Sequence, residues 1–337
     1  MKPKPFAALL TVTALALLFA IASYASNNRW APTKTSGTAL LPGIAAHADR
    51  IAKVELNQGA KTLTLARDKE NWTLADRGQY PAKRENVRAL IVKLAEAETI
   101  ESKTQNKDRL ALLELEDPGA KDAKSRLVRL LDDKGAAIAE VVVGKKRFDA
   151  FGANKSGTYM RRPNEDQAWL TDADVDVALG VRDWVRPQVL DLGSAKIASV
   201  TIEIPGEEPL KIAREGDKYT LAATAIPKGR KLKEGANIDS IARAVGSIDL
   251  EDVRKLDGGD GAEAGVAKIE GEGGLGVILK LRKQGEDYWL SLAATGDGES
   301  KATAEEITRR TQGWEYKIPA SKAEAILKRR ADLTESS

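Results

Sequence analysis

Apolar and polar residues alternate in two separate stretches of the chain, residues 53–74 and residues 199–221. Each stretch contains three short runs in which every second residue is apolar, and turns rich in glycine, asparagine or charged residues separate the runs. A period of two is typical of strands that bury one face, and such turn residues favour chain reversal. The third run carries Trp72 in the first stretch and Tyr219 in the second. The pattern therefore predicts the same three-stranded antiparallel meander twice.

A helix is predicted after each meander, because residues 84–98 and residues 235–248 place apolar side chains three and four positions apart. Strand-turn-strand patterns follow in both halves, including a hairpin predicted at 307–318. Each half closes with a short predicted helix, at 172–180 and at 321–330. We therefore expect two tandem repeats, each made of an antiparallel β-meander and a helix with further hairpins.

The N-terminal 25 residues are interpreted as a transmembrane anchor or a signal. Phe6–Ala25 is an uncharged, mainly apolar run of 20 residues, and a helix of that length spans the hydrocarbon core of a bilayer, about 30 Å. Cleavage stays open, because Ser23–Ala25 resembles the small-residue end of a signal peptide. With this segment, the predicted fold class is α+β: two tandem repeats of antiparallel β-meander plus helix, preceded by one N-terminal transmembrane helix. We expect a single-pass inner-membrane protein with a cytoplasmic N-terminus and a periplasmic body.

The same patterns predict the domain organisation. The segments are the anchor or signal at 1–25, a flexible linker at 26–49, a first α+β repeat at 50–180, an inter-repeat connection at 181–196, a second α+β repeat at 197–330 and a disordered tail at 331–337. In the connection, Asp183, Trp184 and Arg186 are candidates for packing the two repeats against each other.

Composition narrows the function classes. Lys and Arg total 53 and Asp and Glu total 50 among 337 residues, and the two signs are interspersed, which argues against a nucleic-acid binder with its basic surface. The chain has no cysteine, so disulfides, thiolate metal sites and thiol catalysis are excluded. Its single histidine, His47, lies in the predicted linker. We therefore predict no catalytic residue, no cofactor and no metal site.

Two short motifs have simpler structural interpretations. Gly271–Gly276 matches a dinucleotide-binding glycine pattern, but a strand rather than a helix is predicted after it, which favours a loop. Residues 172–183 place aspartates at positions one, three, five and twelve of an EF-hand-like loop. Val177 stands where the sharp turn of that loop needs glycine. Acidic residues that follow Thr171 instead suit the start of a helix.

A basic and aromatic group occupies residues 144–152, at the end of a predicted hairpin strand. Lipid headgroups or a partner protein are the contacts that such a loop tip favours, although the aromatic residues could instead pack into the core while the basic ones stay solvated. The candidate contact residues are Lys145, Lys146, Arg147, Phe148 and Phe151.

The order of these patterns resembles the bacterial family catalogued as domain of unknown function 4340. The shared elements are the opening I-x-x-V-x-L, the WTL strand, the amphipathic helix, and the runs VVVGKK, GTYMRR, AWL and RDWVRPQVL. The resemblance covers roughly residues 50–330 as two family-like units and departs most at 257–276, which is rich in glycine. It implies an N-terminal transmembrane segment, an extracytoplasmic body, and a gene often placed beside an ABC-type transport system related to gliding-motility transporters. It implies no catalytic residues.

Taken together, the sequence favours a non-enzymatic, membrane-anchored extracytoplasmic accessory or scaffold protein associated with an ABC-type transport or envelope system. The alternative is an extracytoplasmic module that binds a polysaccharide, peptide or lipid in a cleft between the two repeats. A hydrolase that uses only carboxylates is a third hypothesis, but no pair among the 50 acidic residues stands out.

Overall fold

The protein is a mainly antiparallel β fold. The computed structural model describes residues 37–193, 196–221, 226, 229–257 and 260–336. Of the described residues, 42% lie in strands and 24% in helices. The predicted fold class, α+β repeats preceded by a transmembrane helix, is therefore wrong. The reason is that the hairpins extend into strands of up to 11 residues, whereas the helices between them stay short.

The elements follow one another along the whole described chain. The strands are β1 Thr38–Ala39, β2 Lys53–Gln58, β3 Lys61–Asp68, β4 Asn71–Leu74, β5 Tyr80–Ala82, β6 Glu98–Thr104, β7 Arg126–Leu131, β8 Ala137–Arg147, β9 Gly157–Arg161, β10 Ala168–Thr171, β11 Gln188–Asp191, β12 Ile197–Glu203, β13 Leu210–Glu215, β14 Lys218–Leu221, β15 Arg230–Leu232, β16 Ser247–Asp249, β17 Asp252–Lys255, β18 Ala262–Gly271, β19 Gly276–Gln284, β20 Asp287–Thr295, β21 Trp314–Ile318 and β22 Thr334–Ser336. The α-helices are α1 Gly43–His47, α2 Arg84–Ala95, α3 Lys107–Leu110, α4 Asp239–Gly246, α5 Lys301–Thr311, α6 Ala320–Ile326 and α7 Arg330–Leu333.

The N-terminal predictions are only partly covered by these residues. Within the described ranges, no helix combines the length and the apolar character that crossing a bilayer requires. The predicted anchor, Phe6–Ala25, lies outside the described residues. The predicted linker is described from residue 37 onward, and there it forms β1 and α1 with Leu40 and Ile44 fully buried. His47 is exposed at the end of α1.

The chain divides into two compact units. Among the described residues, unit 1 comprises 37–62 and 88–179, and unit 2 comprises 63–87 and 180–336. The chain therefore passes between the units inside β3 and again inside α2. Unit 2 includes residues 63–87, although the sequence pattern assigns them to the first predicted repeat.

Unit 1 is built on an antiparallel sheet with the strand order β1-β6-β10-β9-β8-β7-β2. Strand β9 is buried along its whole length, from Gly157 to Arg161. Beside it, a buried apolar cluster contains Leu110, Leu115, Val142, Tyr159, Ala168 and Leu170. The buried Arg161 donates from Nε to the carbonyl of Leu115 at 2.8 Å and from Nη1 to that of Pro163 at 2.8 Å. Because a buried charge is costly without partners, these bonds hold the loops around β9 in place.

Unit 2 contains an eight-stranded antiparallel sheet in the order β14-β13-β12-β18-β19-β20-β21-β17. The second predicted meander is present as β12, β13 and β14, which pair in succession. In β19, Val277, Leu279 and Leu281 are buried and the residues between them are not, which is the period of two that predicted the strand. Unit 2 also contains the pairs β3–β4–β5, β11–β16 and β15–β22.

Three of the four helix predictions hold. Helix α6, Ala320–Ile326, covers the first part of the predicted range 321–330. Helices α2 and α4 lie within the predicted ranges 84–98 and 235–248. Residues 172–180 are not helical; Val175 and Val177 are buried, whereas the aspartates between and before them are exposed. This alternation is that of an extended segment. The tail predicted to be disordered is 331–337, and its described residues, 331–336, belong to α7 and β22.

Candidate functional site

The aromatic residues of the predicted contact loop have different environments. The side chain of Phe148, directly after β8, is 74% exposed, and the Lys146 ammonium lies 5.2 Å from the centre of its ring. Phe151 is half-buried and packs against the apolar cluster of unit 1. The turn that follows Phe148 and contains Phe151 is ordered by its own hydrogen bonds, since Asn154 N donates to Asp149 Oδ1 at 2.8 Å. The loop therefore uses one aromatic residue for its own packing and leaves the other at the surface.

The basic residues of the same loop are mostly paired. Lys146 forms an ion pair with Asp174 at 2.6 Å, and Arg147 forms one with Glu101 at 3.7 Å. Lys145 is exposed, and no side-chain partner is found for it within the described residues. The structure places all five predicted contact residues in unit 1, but it leaves only Phe148 and Lys145 both exposed and without an ion pair.

The predicted packing residues of the connection lie in unit 2. The carbonyl of Asp183 accepts a hydrogen bond from Asn86 Nδ2 at 2.6 Å, and that of Trp184 accepts one from Lys83 N at 2.6 Å. Trp184 is buried, with 4% of its surface exposed. These bonds join residues 63–87 to the connection within one unit, and a role in packing two repeats remains a prediction.

The third of these residues, Arg186, lies at a cavity of about 370 Å³ in unit 2. We call it the arginine–aromatic cavity. Its lining residues are Gln79, Tyr80, Pro81, Arg186, Gln188, Val189, Arg309, Arg310, Thr311, Trp314 and Tyr316. They come from β5, β11, the end of α5 and β21, so segments far apart in the sequence form this one site.

The turn before β5 positions its first wall. Arg77 holds Asp252 of β17 through two hydrogen bonds, Nε to Oδ1 at 2.6 Å and Nη2 to Oδ2 at 3.0 Å. Gly78 follows in the left-handed conformation with φ +64°, and a Cβ there would lie 2.7 Å from Cγ of Lys255. Glycine is therefore the residue that both the backbone angle and the close approach require. This turn directs the next strand, with Tyr80, toward β21.

A second part of the lining begins where α5 ends. The helix stops at Thr311, and Gly313 follows with φ +82°, the left-handed conformation that commonly terminates helices. Trp314 then starts β21. The ring of Tyr80 meets that of Trp314 edge to face, with centres 4.8 Å apart, and lies 6.2 Å from the ring of Tyr316. Three aromatic rings thus form one contiguous surface of the cavity.

The arginines of the cavity differ in what holds them. Arg310 donates from Nη2 to the carbonyl of Val189 at 2.7 Å, and its Nη1 lies 3.6 Å from Glu306 Oε1. Arg186 and Arg309 are exposed, and neither has a hydrogen-bonded or ionic partner within the described part of the chain. None of the described lining residues is acidic. The cavity therefore carries a surplus of positive charge.

The two tyrosines do not reduce this charge. Burial raises the pKa of the Tyr80 phenol above its ordinary value, although the neighbouring Tyr316 and the charge of Arg310 act in the opposite direction. Burial also raises the pKa of Tyr316. Both phenols stay protonated at neutral pH, so they present O–H groups and apolar ring faces rather than negative charge.

The sequence patterns identified little of this cavity in advance. Of its lining residues, only Arg186 is a sequence-predicted site residue. The predicted hairpin at 307–318 is wrong, because its first half is the end of α5. Ala304, Ile307 and Thr311 are buried on one helix face, and their spacing of three and four is the signal that identifies the helix.

The two short motifs form a connection between strands and an extended segment. Gly271–Gly276 connects β18 to β19, so the interpretation as a loop is confirmed. Residues 172–183 do not begin with the helix that the capping interpretation required. Within the described residues, no three His, Cys, Asp or Glu side chains form a group that could hold a metal ion.

Comparison with known proteins gives one family. The family model described as "Domain of unknown function (DUF4340)" matches residues 72–268, which is more than half of the chain. The match runs across the junction between the two predicted repeats instead of occurring once in each. No curated protein and no solved structure matches the chain.

Proposed function

This chain belongs to the family of domain of unknown function 4340, which carries no assigned activity. We therefore propose its role from the residues exposed on its surface. The protein is a non-enzymatic accessory or scaffold protein of the cell envelope. Its body is periplasmic, the apolar leader Phe6–Ala25 holds it at the inner membrane, and it docks on a protein of an ABC-type transport or envelope system.

The exposed Phe148 supports docking more than any other feature. A single exposed aromatic residue is common on protein surfaces, but this one stands on a turn that internal hydrogen bonds order. A loop whose backbone is already ordered loses less conformational entropy on binding. Aromatic residues are also enriched at the centres of protein interfaces. The loop therefore has the character of a preorganised contact.

The local charges favour a protein partner over a lipid surface. Attraction to anionic lipids requires several basic side chains whose charge is not compensated. Here Lys146 and Arg147 face Asp174 and Glu101, so Lys145 contributes most of the remaining positive charge. A protein interface tolerates such a nearly balanced surface, whereas binding to an anionic membrane does not.

Affinity purification of the full chain from detergent-solubilised membranes tests this role. We expect the wild-type chain to recover an envelope or transporter component, and Phe148→Ser to recover much less of it. The matched control is Leu112→Ser, which removes another apolar side chain of unit 1 that is 68% exposed. Equal recovery by Phe148→Ser and the wild type would contradict docking through this loop, and fractionation of the body with the cytosol would contradict the proposed location.

The arginine–aromatic cavity favours a second function, that of an extracytoplasmic binding module. Small-ligand sites are concave, mostly apolar and equipped with a few polar groups, and this cavity combines aromatic rings with Arg186 and Arg309. In this alternative the site lies within unit 2, and recovery of a bound small molecule with the purified chain would support it.

A further inference from the structure

The described residues that line the arginine–aromatic cavity do not balance its charge. Three of its lining residues are arginines, and none of the described lining residues is acidic. Arg310 is partly compensated, since Glu306 lies 3.6 Å away and the backbone carbonyls of β11 accept its hydrogen bonds. Arg186 and Arg309 have no such compensation within the described residues. Like charges around one small space repel each other, and a bound anion would relieve that repulsion.

Guanidinium groups also select the chemistry of the anion. Their N–H donors form a planar fork that matches the oxygens of a phosphate or a carboxylate, and such charge-assisted hydrogen bonds are strong. Arg310 is held by its carbonyl partners and cannot turn freely toward a ligand. Arg186 and Arg309 can turn toward a ligand, because their side chains are exposed and have no partner among the described residues.

The rest of the cavity suits an apolar or aromatic body. Trp314 is half-buried in the wall and meets Tyr80 edge to face. The ammonium of Lys255 lies 3.7 Å from the centre of the Trp314 ring, which adds positive charge beside the aromatic surface. A volume of about 370 Å³ is at the lower end of the range for small-molecule sites. It accommodates a small ligand rather than a long polymer.

We propose that the arginine–aromatic cavity binds a small oxyanion, a phosphate or carboxylate group carried on a ring or another apolar body. Arg186 and Arg309 hold the oxyanion, and Tyr80 and Trp314 contact the apolar body. This site deepens the binding-module alternative and does not depend on docking through Phe148, so the two can fail separately.

Isothermal titration calorimetry with the purified full chain tests the proposal, with phenyl phosphate, benzoate, inorganic phosphate and phenol as probes. We expect saturable binding of phenyl phosphate or benzoate, and the stronger of the two identifies the oxyanion. Inorganic phosphate and phenol should bind more weakly, because each retains only half of the recognised features. Arg186→Gln and Arg309→Gln should each weaken binding about tenfold, the effect of one lost charge-assisted hydrogen bond.

The matched control is Arg243→Gln, which removes the same charge from an exposed position of unit 2 outside the cavity. Binding by this variant should equal that of the wild type. No saturable binding of either aromatic probe would overturn the proposal, as would binding that survives the Arg186→Gln and Arg309→Gln double substitution. Equal affinities for inorganic phosphate and phenyl phosphate would overturn the role of Tyr80 and Trp314.

Discussion

Substitution of Glu315 by glutamine should destabilise unit 2 more than any other change of a single charge that we consider. The side chain of Glu315, on β21, is 2% exposed and lies between Arg254 of the adjacent strand β17 and Arg282 of β19, one strand further away on the other side. Arg254 donates from Nε to its Oε2 at 2.9 Å, and Arg282 Nη2 lies 2.7 Å from its Oε1. The guanidinium of Arg254 also lies 3.9 Å from the centre of the Trp289 ring. Glu315→Gln keeps the shape of the side chain but leaves two neighbouring cations without their shared anion.

The expected cost follows from the burial of the three groups. Removing one partner of a buried ion pair costs about 3–5 kcal/mol, because the other charge stays buried and unpaired. The side chains of Arg254 and Arg282 remain 26% and 23% exposed, so water still reaches part of each guanidinium. We therefore expect the lower end of that range, about 3 kcal/mol. This is a large fraction of the 5–15 kcal/mol by which a domain is usually stable.

Urea unfolding of the full chain, followed by far-ultraviolet circular dichroism, measures the change. The control is Glu203→Gln on the same sheet, where Glu203 pairs with Lys268 at 2.6 Å but the two side chains are 40% and 49% exposed. An exposed pair is worth about 0–1 kcal/mol. If Glu315→Gln lowers the free energy of unfolding no more than Glu203→Gln does, the reasoning from burial is wrong.

Two further predictions concern unit 1. A hydrogen bond from the backbone N–H of Ala136 is the chief cause that holds the pKa of Asp132 below its ordinary value. The ionised Asp132 carboxylate therefore contributes fully to stability above about pH 4. This contribution is lost as the pH falls through the folded-state pKa. Asp132→Asn should therefore weaken the acid-dependent loss of stability in urea titrations between pH 2 and pH 6, and an unchanged pH dependence would refute this. Gly157→Ala should cost about 1–3 kcal/mol by overpacking, because the added Cβ would lie 2.4 Å from the carbonyl oxygen of Thr171. Gly43→Ala is the control in thermal unfolding, because a Cβ added at Gly43 would lie 3.5 Å from its nearest neighbour, the carbonyl oxygen of Ile138. Equal melting temperatures for the two variants would contradict the clash.

The candidate site illustrates the limit of sequence reasoning. The basic and aromatic group at 144–152 is visible as a local cluster of residue types; its basic residues end β8, and its two phenylalanines lie in the turn that follows. Whether its charges are available depends on Asp174 and Glu101, which lie far from it in the sequence. The arginine–aromatic cavity has no local signature, because it forms only where β5, β11, α5 and β21 meet.

The hydrophobic pattern by itself determined most of the strands, the second meander and the helices α2, α4 and α6. It did so because the period of apolar residues reports which face of each segment is buried, and that property is local. The pattern misassigned residues 172–180, where two buried valines at a spacing of two outweigh the aspartates that suggested a helix start. In the sequence alone, four residues of alternating polarity indicate a strand less clearly than a capping residue indicates a helix. The structure shows which of these residues the core buries.

Only the tertiary structure decided which segments share a core. Residues 63–87 continue the first meander in sequence, yet Arg77, Lys83 and Asn86 bond to partners between residues 183 and 252 and make the segment part of unit 2. A strand pattern specifies a face to be buried but not the surface that buries it. That choice depends on the sum of many long-range contacts and on the partners that each buried polar group can find. For this reason the pairing of Glu315 and the lining of the cavity could be seen only after the chain had folded.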